Sequence, residues 1–162
     1  MNLEVTVRQA TPSDIPKLKE IIDLSFPRFF RFFASHSVNS EEGKVLVSES
    51  QGAVVGFAKL IEFKVGGCKY GCVLWLAVHH KHRRKGVASA LVKAGTENLK
   101  QDSSEAVFAS VNRRNVASLR VLGLQGFKRI GLLDLWRLFS WRVFEFYGDI
   151  WYSPTEVVLT HD

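Results

Sequence analysis

Residues 72–78 read Cys-Val-Leu-Trp-Leu-Ala-Val, an apolar run with no polar break, and after His79 to His82 the chain passes through Arg83-Arg84-Lys85-Gly86-Val87-Ala88. A run of this length bounded by turn signals reads as a central β-strand covered on both faces. Downstream, Ala88, Leu91, Val92, Gly95 and Leu99 recur at helical steps to about Lys100, and residues 106–111 return to a strand pattern. This strand-turn-helix-strand unit points to a mixed α+β domain with one central sheet.

The flanking segments fill in the rest. Residues 3–8 alternate as a half-buried strand, and Thr11-Pro12-Ser13-Asp14 opens a helix over about 12–24. Its apolar stripe is Ile15, Leu18, Ile21 and Ile22, with Ser25 on the same face. Phenylalanines 26, 29, 30, 32 and 33 crowd a short second helix after Pro27. That segment suits core packing, a wall of an apolar substrate pocket, a homodimer contact or weak membrane association. Residues 44–49, 53–63 and 72–78 form an antiparallel meander through turns at Ser50-Gln51-Gly52 and Gly66-Gly67. A helix over about 115–125 ends at Gly126, and Phe127 begins a strand. Residues 132–152, rich in Trp, Phe and Leu, read as a long active-site insertion before a last alternating strand at 155–160.

A chain of 162 residues without repeats or linkers is read as a single domain over residues 1–162. It contains no apolar run near the roughly 20 residues of a membrane span and no signal-peptide layout, so a cytoplasmic location is expected. Cys68 and Cys72 have no neighbouring ligands of zinc-site spacing, so no metal is expected. The formal net charge of +6 suits a nucleic acid, an acidic membrane or a small polyanion. Placement narrows the choice, because the basic residues bunch at 81–85 and 113–120, beside helix starts or on a helix.

A helix start directly after a strand offers unpaired N–H groups and partial positive charge to a pyrophosphate. Gly86 lets the backbone approach the ligand, and Arg83, Arg84 and Lys85 add charge-assisted contacts worth about 1.5–3 kcal/mol each where partly desolvated. A solvated basic loop is the plain alternative. Neither G-x-x-x-x-G-K-[ST] nor a strand-led G-x-G-x-x-G occurs, so nucleoside triphosphatase and dinucleotide readings are poor.

At these positions the chain resembles the GCN5-related N-acetyltransferase (GNAT) superfamily. Arg83-x-x-Gly86-x-Ala88 after Leu76-Ala77-Val78 matches its [QR]-x-x-G-x-[GA] signature, and Asn115, Ser118, Gly126 and Phe127 match a second element. The resemblance covers about residues 3–131. It implies an α+β domain with a mixed central sheet of about seven strands flanked by about four or five helices. It also implies acetyl-coenzyme A as cosubstrate and an amine acceptor: a protein N-terminus, a lysine or a small molecule. Backbone groups of Leu76, Ala77 and Val78 would line the pantetheine arm, an N–H near Val78 would polarise the acetyl carbonyl, and main-chain N–H groups from Arg84 through Lys85, Gly86 and Val87 to Ala88 would hold the pyrophosphate. Asn115 would hydrogen-bond the pantetheine, with Ser118 one turn on. Read by themselves, Asn115 is equally a helix N-cap and residues 76–78 equally core.

The chain departs from the family where protons move. Leu122 stands where many relatives carry a tyrosine acid, Ser110 where many amino-terminal acetyltransferases carry a glutamate, and Leu74 and Trp75 at the usual acidic positions of the central strand. Glu62, His79, Tyr147, Asp149 and Tyr152 are candidates to replace them, and none is singled out as catalytic. The expected activity is direct acetyl transfer to an amine in a ternary complex. Its rivals are a non-catalytic coenzyme A-binding or interaction domain, suggested by the missing tyrosine and glutamate, and nucleic-acid binding through the basic turn with Arg113, Arg114 and Arg120, which is not the expected partner.

Overall fold

The turn signals in the middle of the chain produce the meander expected of them. In the computed structural model, which describes residues 4–162, β2 (Lys44–Ser50) pairs antiparallel with β3 (Ala53–Val65), and β4 (Cys68–Val78) follows. β1 (Val5–Gln9) pairs with the other edge of β2; Leu3, placed in that strand from sequence, lies outside the described residues. Between β1 and β2 come a 3₁₀ turn at Pro12–Asp14, α1 (Ile15–Ser25) and α2 (Arg28–Asn39). From β4 the chain enters α3 (Val87–Gln101), β5 (Val107–Asn112), α4 (Val116–Leu124) and the short β6 (Lys128–Arg129). Residues 132–152 form two short helices, α5 (Leu132–Phe139) and α6 (Val143–Asp149), and β7 (Glu156–His161) closes the chain. The strand order β1-β2-β3-β4-β5-β7-β6 is a seven-stranded mixed sheet, parallel at β4–β5 and antiparallel at β5–β7.

Residue contacts cluster in two units, one holding the chain up to Leu60 with Trp75–Gly95, the other Ile61–Leu74 with Thr96–Asp162. In the first, Leu18, Ile21 and Ile22 of α1 pack with Ala34 and Val38 of α2 and with Val47, Phe57 and Ala77 of the strands. Ser25, on the expected stripe, is half-buried. The Arg8 guanidinium bonds both oxygens of the buried Asp14, at 2.8 and 3.0 Å, and its Nε reaches Glu49 at 3.0 Å, tying the start of α1 to β1 and β2. The Arg8 hydrogen bond, against the opposing cost of burial, holds the Asp14 carboxyl well below the usual carboxylate range.

α2 buries a face other than the one its composition suggests. Ala34, Ser37 and Val38 turn inward, whereas Phe29 and Phe32 are 70% and 72% exposed and stack within an outer aromatic row with Phe33 and His36. In the second unit a group of aromatic residues does turn inward, while Trp136, Trp141 and Phe144 stay exposed. Phe108, Phe139 and Phe146 pack with Tyr70, Cys72 and Val158, with ring centroids 4.7 Å apart for Phe139–Phe146 and 4.8 Å for Phe108–Phe146.

Candidate active site

The continuous apolar run of β4 is not buried evenly. β4 and β5 pair only over Gly71↔Val107, Cys72↔Phe108 and Val73↔Ala109 among the described residues, and the next three residues of β4, Leu74, Trp75 and Leu76, are half-buried. A strand expected to be covered on both faces is therefore only half-buried in the three residues after its last paired position. Ahead of that point, Gly71 is a packing requirement: a Cβ there would lie 2.9 Å from Leu99 of α3.

Beyond the last paired position, the main chain of β4 sorts Leu76, Ala77 and Val78. The His79 N–H donates to the Val55 carbonyl at 2.8 Å, and the Ala77 carbonyl faces Gly56, so Ala77 and His79 turn their peptide groups to β3. By strand alternation those of Leu76 and Val78 face the opposite edge. The Val78 carbonyl accepts Arg83 Nε at 3.0 Å, which ties the strand end to the basic turn, and the N–H groups of Leu76 and Val78 are the donors on that edge.

The turn is shaped by backbone conformations that few residues adopt. Arg84 has φ +62° and Gly86 φ +80°, so left-handed residues occur twice within three positions. At Arg84, a residue with a Cβ, this conformation costs about 1–2 kcal/mol, and strain of that kind gathers at ligand clamps. A Cβ on Gly86 would meet no protein atom within 4 Å, so φ rather than crowding by the protein requires glycine there. α3 starts on it, with the Ala90 N–H donating to the Gly86 carbonyl at 3.0 Å. The N–H groups of the helix's first turn have no partner within the helix, and exposed Arg83, Arg84 and Lys85 surround that end. Lys85 Nζ donates to the Lys81 carbonyl at 3.2 Å, holding the turn closed. Leu76, Val78 and Arg83 to Ala88 are thus brought into one short stretch of strand end, turn and helix start.

His79 organises the approach to that turn. Its Nδ1 accepts the Lys81 N–H at 3.3 Å, which places the imidazole proton on Nε2, 3.6 Å from Glu20 Oε1. The ring is buried and stacks on His80; burial, with His80 and Lys17 adding, holds its pKa below the usual histidine range. His79 therefore caps the 3₁₀ turn His80–His82 in its neutral form.

In the second unit, Asn115 is the N-cap of α4, its Oδ1 accepting the Ser118 N–H at 3.1 Å. Its amide N–H groups are the part left for a ligand, and Ser118 is half-buried in the first turn. Leu122 is a core residue, 2% exposed. Of the other candidates, Glu62 is paired with Lys69 at 2.9 Å, while Tyr147 and Tyr152 stack at 4.4 Å. Burial raises the pKa of both Tyr147 and Asp149, with Tyr152 and Glu145 adding respectively. Sequence reasoning passed over Glu156, whose Oε2 accepts Ser110 Oγ–H at 2.6 Å and the Ser153 N–H at 3.1 Å. No local signal marks this pair, which is brought together by the β5–β7 register Ser110↔Val158 and Asn112↔Glu156.

The profile of the Acetyltransferase (GNAT) family matches residues 13–127. An N-alpha-acetyltransferase of Sulfurisphaera tokodaii is 28% identical over 141 residues, covering 80% of this chain and 84% of the relative. One of Saccharolobus solfataricus is 26% identical over 140 residues, with the same coverage. A solved acetyltransferase of the GNAT family from Staphylococcus aureus shares the fold at a TM-score of 0.70 and 12% identity, with 98% of each chain covered.

Proposed function

Because the chain belongs to the acetyltransferase (GNAT) family and is thereby an acyltransferase, we propose that it moves the acetyl group of acetyl-coenzyme A onto an amine, most specifically an α-amino group. The observation that carries the reading is the turn from Arg83 to Ala88. It joins two left-handed residues, three exposed cations and the start of α3 directly after the end of β4, a combination suited to a pyrophosphate. The two archaeal relatives, both N-alpha-acetyltransferases, support the α-amino acceptor. Cys68 and Cys72 are free thiols, in keeping with a cytoplasmic protein.

In this reading the Val78 N–H donates to the acetyl carbonyl as it gains negative charge, and the backbone from Arg84 to Ala88 holds the phosphates. Asn115, through its amide N–H groups, and Ser118 contact the pantetheine arm. Attack is direct. Cys72 is fully buried, with its thiol pKa pushed up by burial and then by Glu156, and Cys68 is likewise raised, first by its hydrogen bond to Glu105, so neither is primed as an acyl carrier. Calorimetric titration with acetyl-coenzyme A, combined with thiol release on short peptides bearing a free α-amino group, tests the proposal. Binding together with release that depends on the free amine is the expected result. Binding without release on α-amine, lysine or small-amine acceptors supports the second reading, a coenzyme A-binding domain without turnover, which the core placement of Leu122 favours.

A further inference from the structure

The last paired position of β4 and β5 is Val73↔Ala109, so Ser110 is the first residue of β5 past the point where the two strands part. A hydroxyl at that point is joined to a carboxylate. Ser110 Oγ donates to Glu156 Oε2 at 2.6 Å, within the short range of a hydroxyl on an ionised acceptor, and the Ser153 N–H saturates the same oxygen at 3.1 Å. Among the described residues no hydrogen-bond donor reaches Oε1. The segment carrying Glu156 is tied to the end of β5: the Arg113 N–H donates to the Thr155 carbonyl at 3.1 Å, its guanidinium to the Pro154 carbonyl at 3.1 Å, and the Asn112 amide to Thr155 Oγ1 at 3.4 Å. Both Ser110 and Glu156 are half-buried, so the carboxylate is fixed yet reachable from solvent.

We propose that Glu156 accepts the proton of the acceptor amine, with Ser110 as its positioning residue, an inference that rests on the transferase reading above. An α-amino group arrives mostly as an ammonium near neutral pH and cannot attack until it loses a proton. That proton passes to Glu156 and on to solvent. The nitrogen lone pair then forms the N–C bond to the acetyl carbonyl carbon while the C–S bond breaks, and the second nitrogen proton ends on the departing thiolate. Ammonium and thioester thus become amide, thiol and one released proton. The ionisable neighbours of Glu156 are consistent with this role: Cys72, interacting with it electrostatically, is a buried thiol of raised pKa, and Arg113 holds the adjoining chain.

The test compares kcat with acetyl-coenzyme A affinity in the full chain, using peptides with a free α-amino group. Glu156→Gln is expected to lower kcat about 100-fold with unchanged acetyl-coenzyme A affinity and melting temperature. Glu156→Asp should recover part of the loss, and Ser110→Ala should lose less than Glu156→Gln. The deficit of Glu156→Gln should also shrink between about pH 7 and about pH 9, where the acceptor arrives increasingly neutral. A kcat within about threefold of the unaltered protein overturns the assignment, as does an equal loss of kcat and cofactor affinity, which marks a strut rather than a proton acceptor. Should Glu156→Gln fail to fold, Glu156→Asp and Ser110→Ala decide the matter on the same split, and full activity in both overturns it. If the unaltered protein neither binds acetyl-coenzyme A nor releases thiol, the transferase reading itself fails. A fully active parent with fully active variants defeats the Glu156 assignment alone.

Discussion

The basic turn after β4 and the helices α5 and α6 are specified in different ways. The turn is fixed by backbone conformation: left-handed φ at Arg84 and Gly86, with side chains that mostly point into solvent. The helices are fixed by side chains. Leu135, Phe139, Val143, Phe146 and Ile150 fill a core, while Leu132, Leu133, Trp136, Trp141 and Phe144 of the same segment stay exposed. A conformation that admits few residue types leaves a short, readable motif. A packed face needs only apolar bulk at the right spacing, so its sequence carries less information about what it does.

Substitutions should separate the two kinds of specification. The largest stability effect is expected at Phe146→Ala, about 3–5 kcal/mol by denaturant unfolding, because this fully buried ring contacts Phe108 and Phe139. Asp14→Asn should cost about 2 kcal/mol at neutral pH. Because the Asp14 pKa is depressed, its contribution is present above the unfolded carboxylate range and is lost as pH falls through the folded value, so the variant should show a shallower acid decline. Gly86→Ala should cost about 1 kcal/mol, from φ alone. Trp136→Gln, on the exposed side of α5, should change stability by less than about 0.5 kcal/mol. If Trp136→Gln proved as costly as Phe146→Ala, the outer face of α5 would belong to the core and the comparison would fail.

His79 supplies a pH-dependent counterpart within the turn. Its pKa is lowered by burial, so the unfolded chain binds the proton more readily. The contribution of His79 to stability is complete above the unfolded value of about 6.5 and is lost as pH falls through the folded value. The drop in melting temperature between about pH 7 and about pH 5 should therefore be smaller in His79→Asn, whose side-chain oxygen can still cap the Lys81 N–H.

Much of the fold is legible in the residues because local rules suffice. The Gly66-Gly67 turn, both residues at positive φ, joins β3 to β4 in the way its sequence implies. The unbroken run Cys72 to Val78 identifies the central strand, although its start at Cys68 is hidden by Gly71, which is present for the approach of Leu99 rather than for strand propensity. The basic turn is legible because its left-handed backbone admits few residue types. The end of β4–β5 pairing and the Ser110–Glu156 contact are not, because each depends on register between segments distant in sequence. The outward turn of Phe29 and Phe32 is similarly hidden, since helical spacing shows which residues share a face but not which face the sheet will cover.

The central claim, that the strand-turn-helix element binds the phosphates of acetyl-coenzyme A, is tested most directly by calorimetric titration of the unaltered protein and of Gly86→Asp. Gly86 is exposed and a Cβ there meets no protein atom, so the variant should fold, with the φ strain as its main cost. The carboxylate would then stand against the bound phosphates, and affinity is expected to fall by about 100-fold or more. Equal affinity for acetyl-coenzyme A in the folded variant would contradict the assignment.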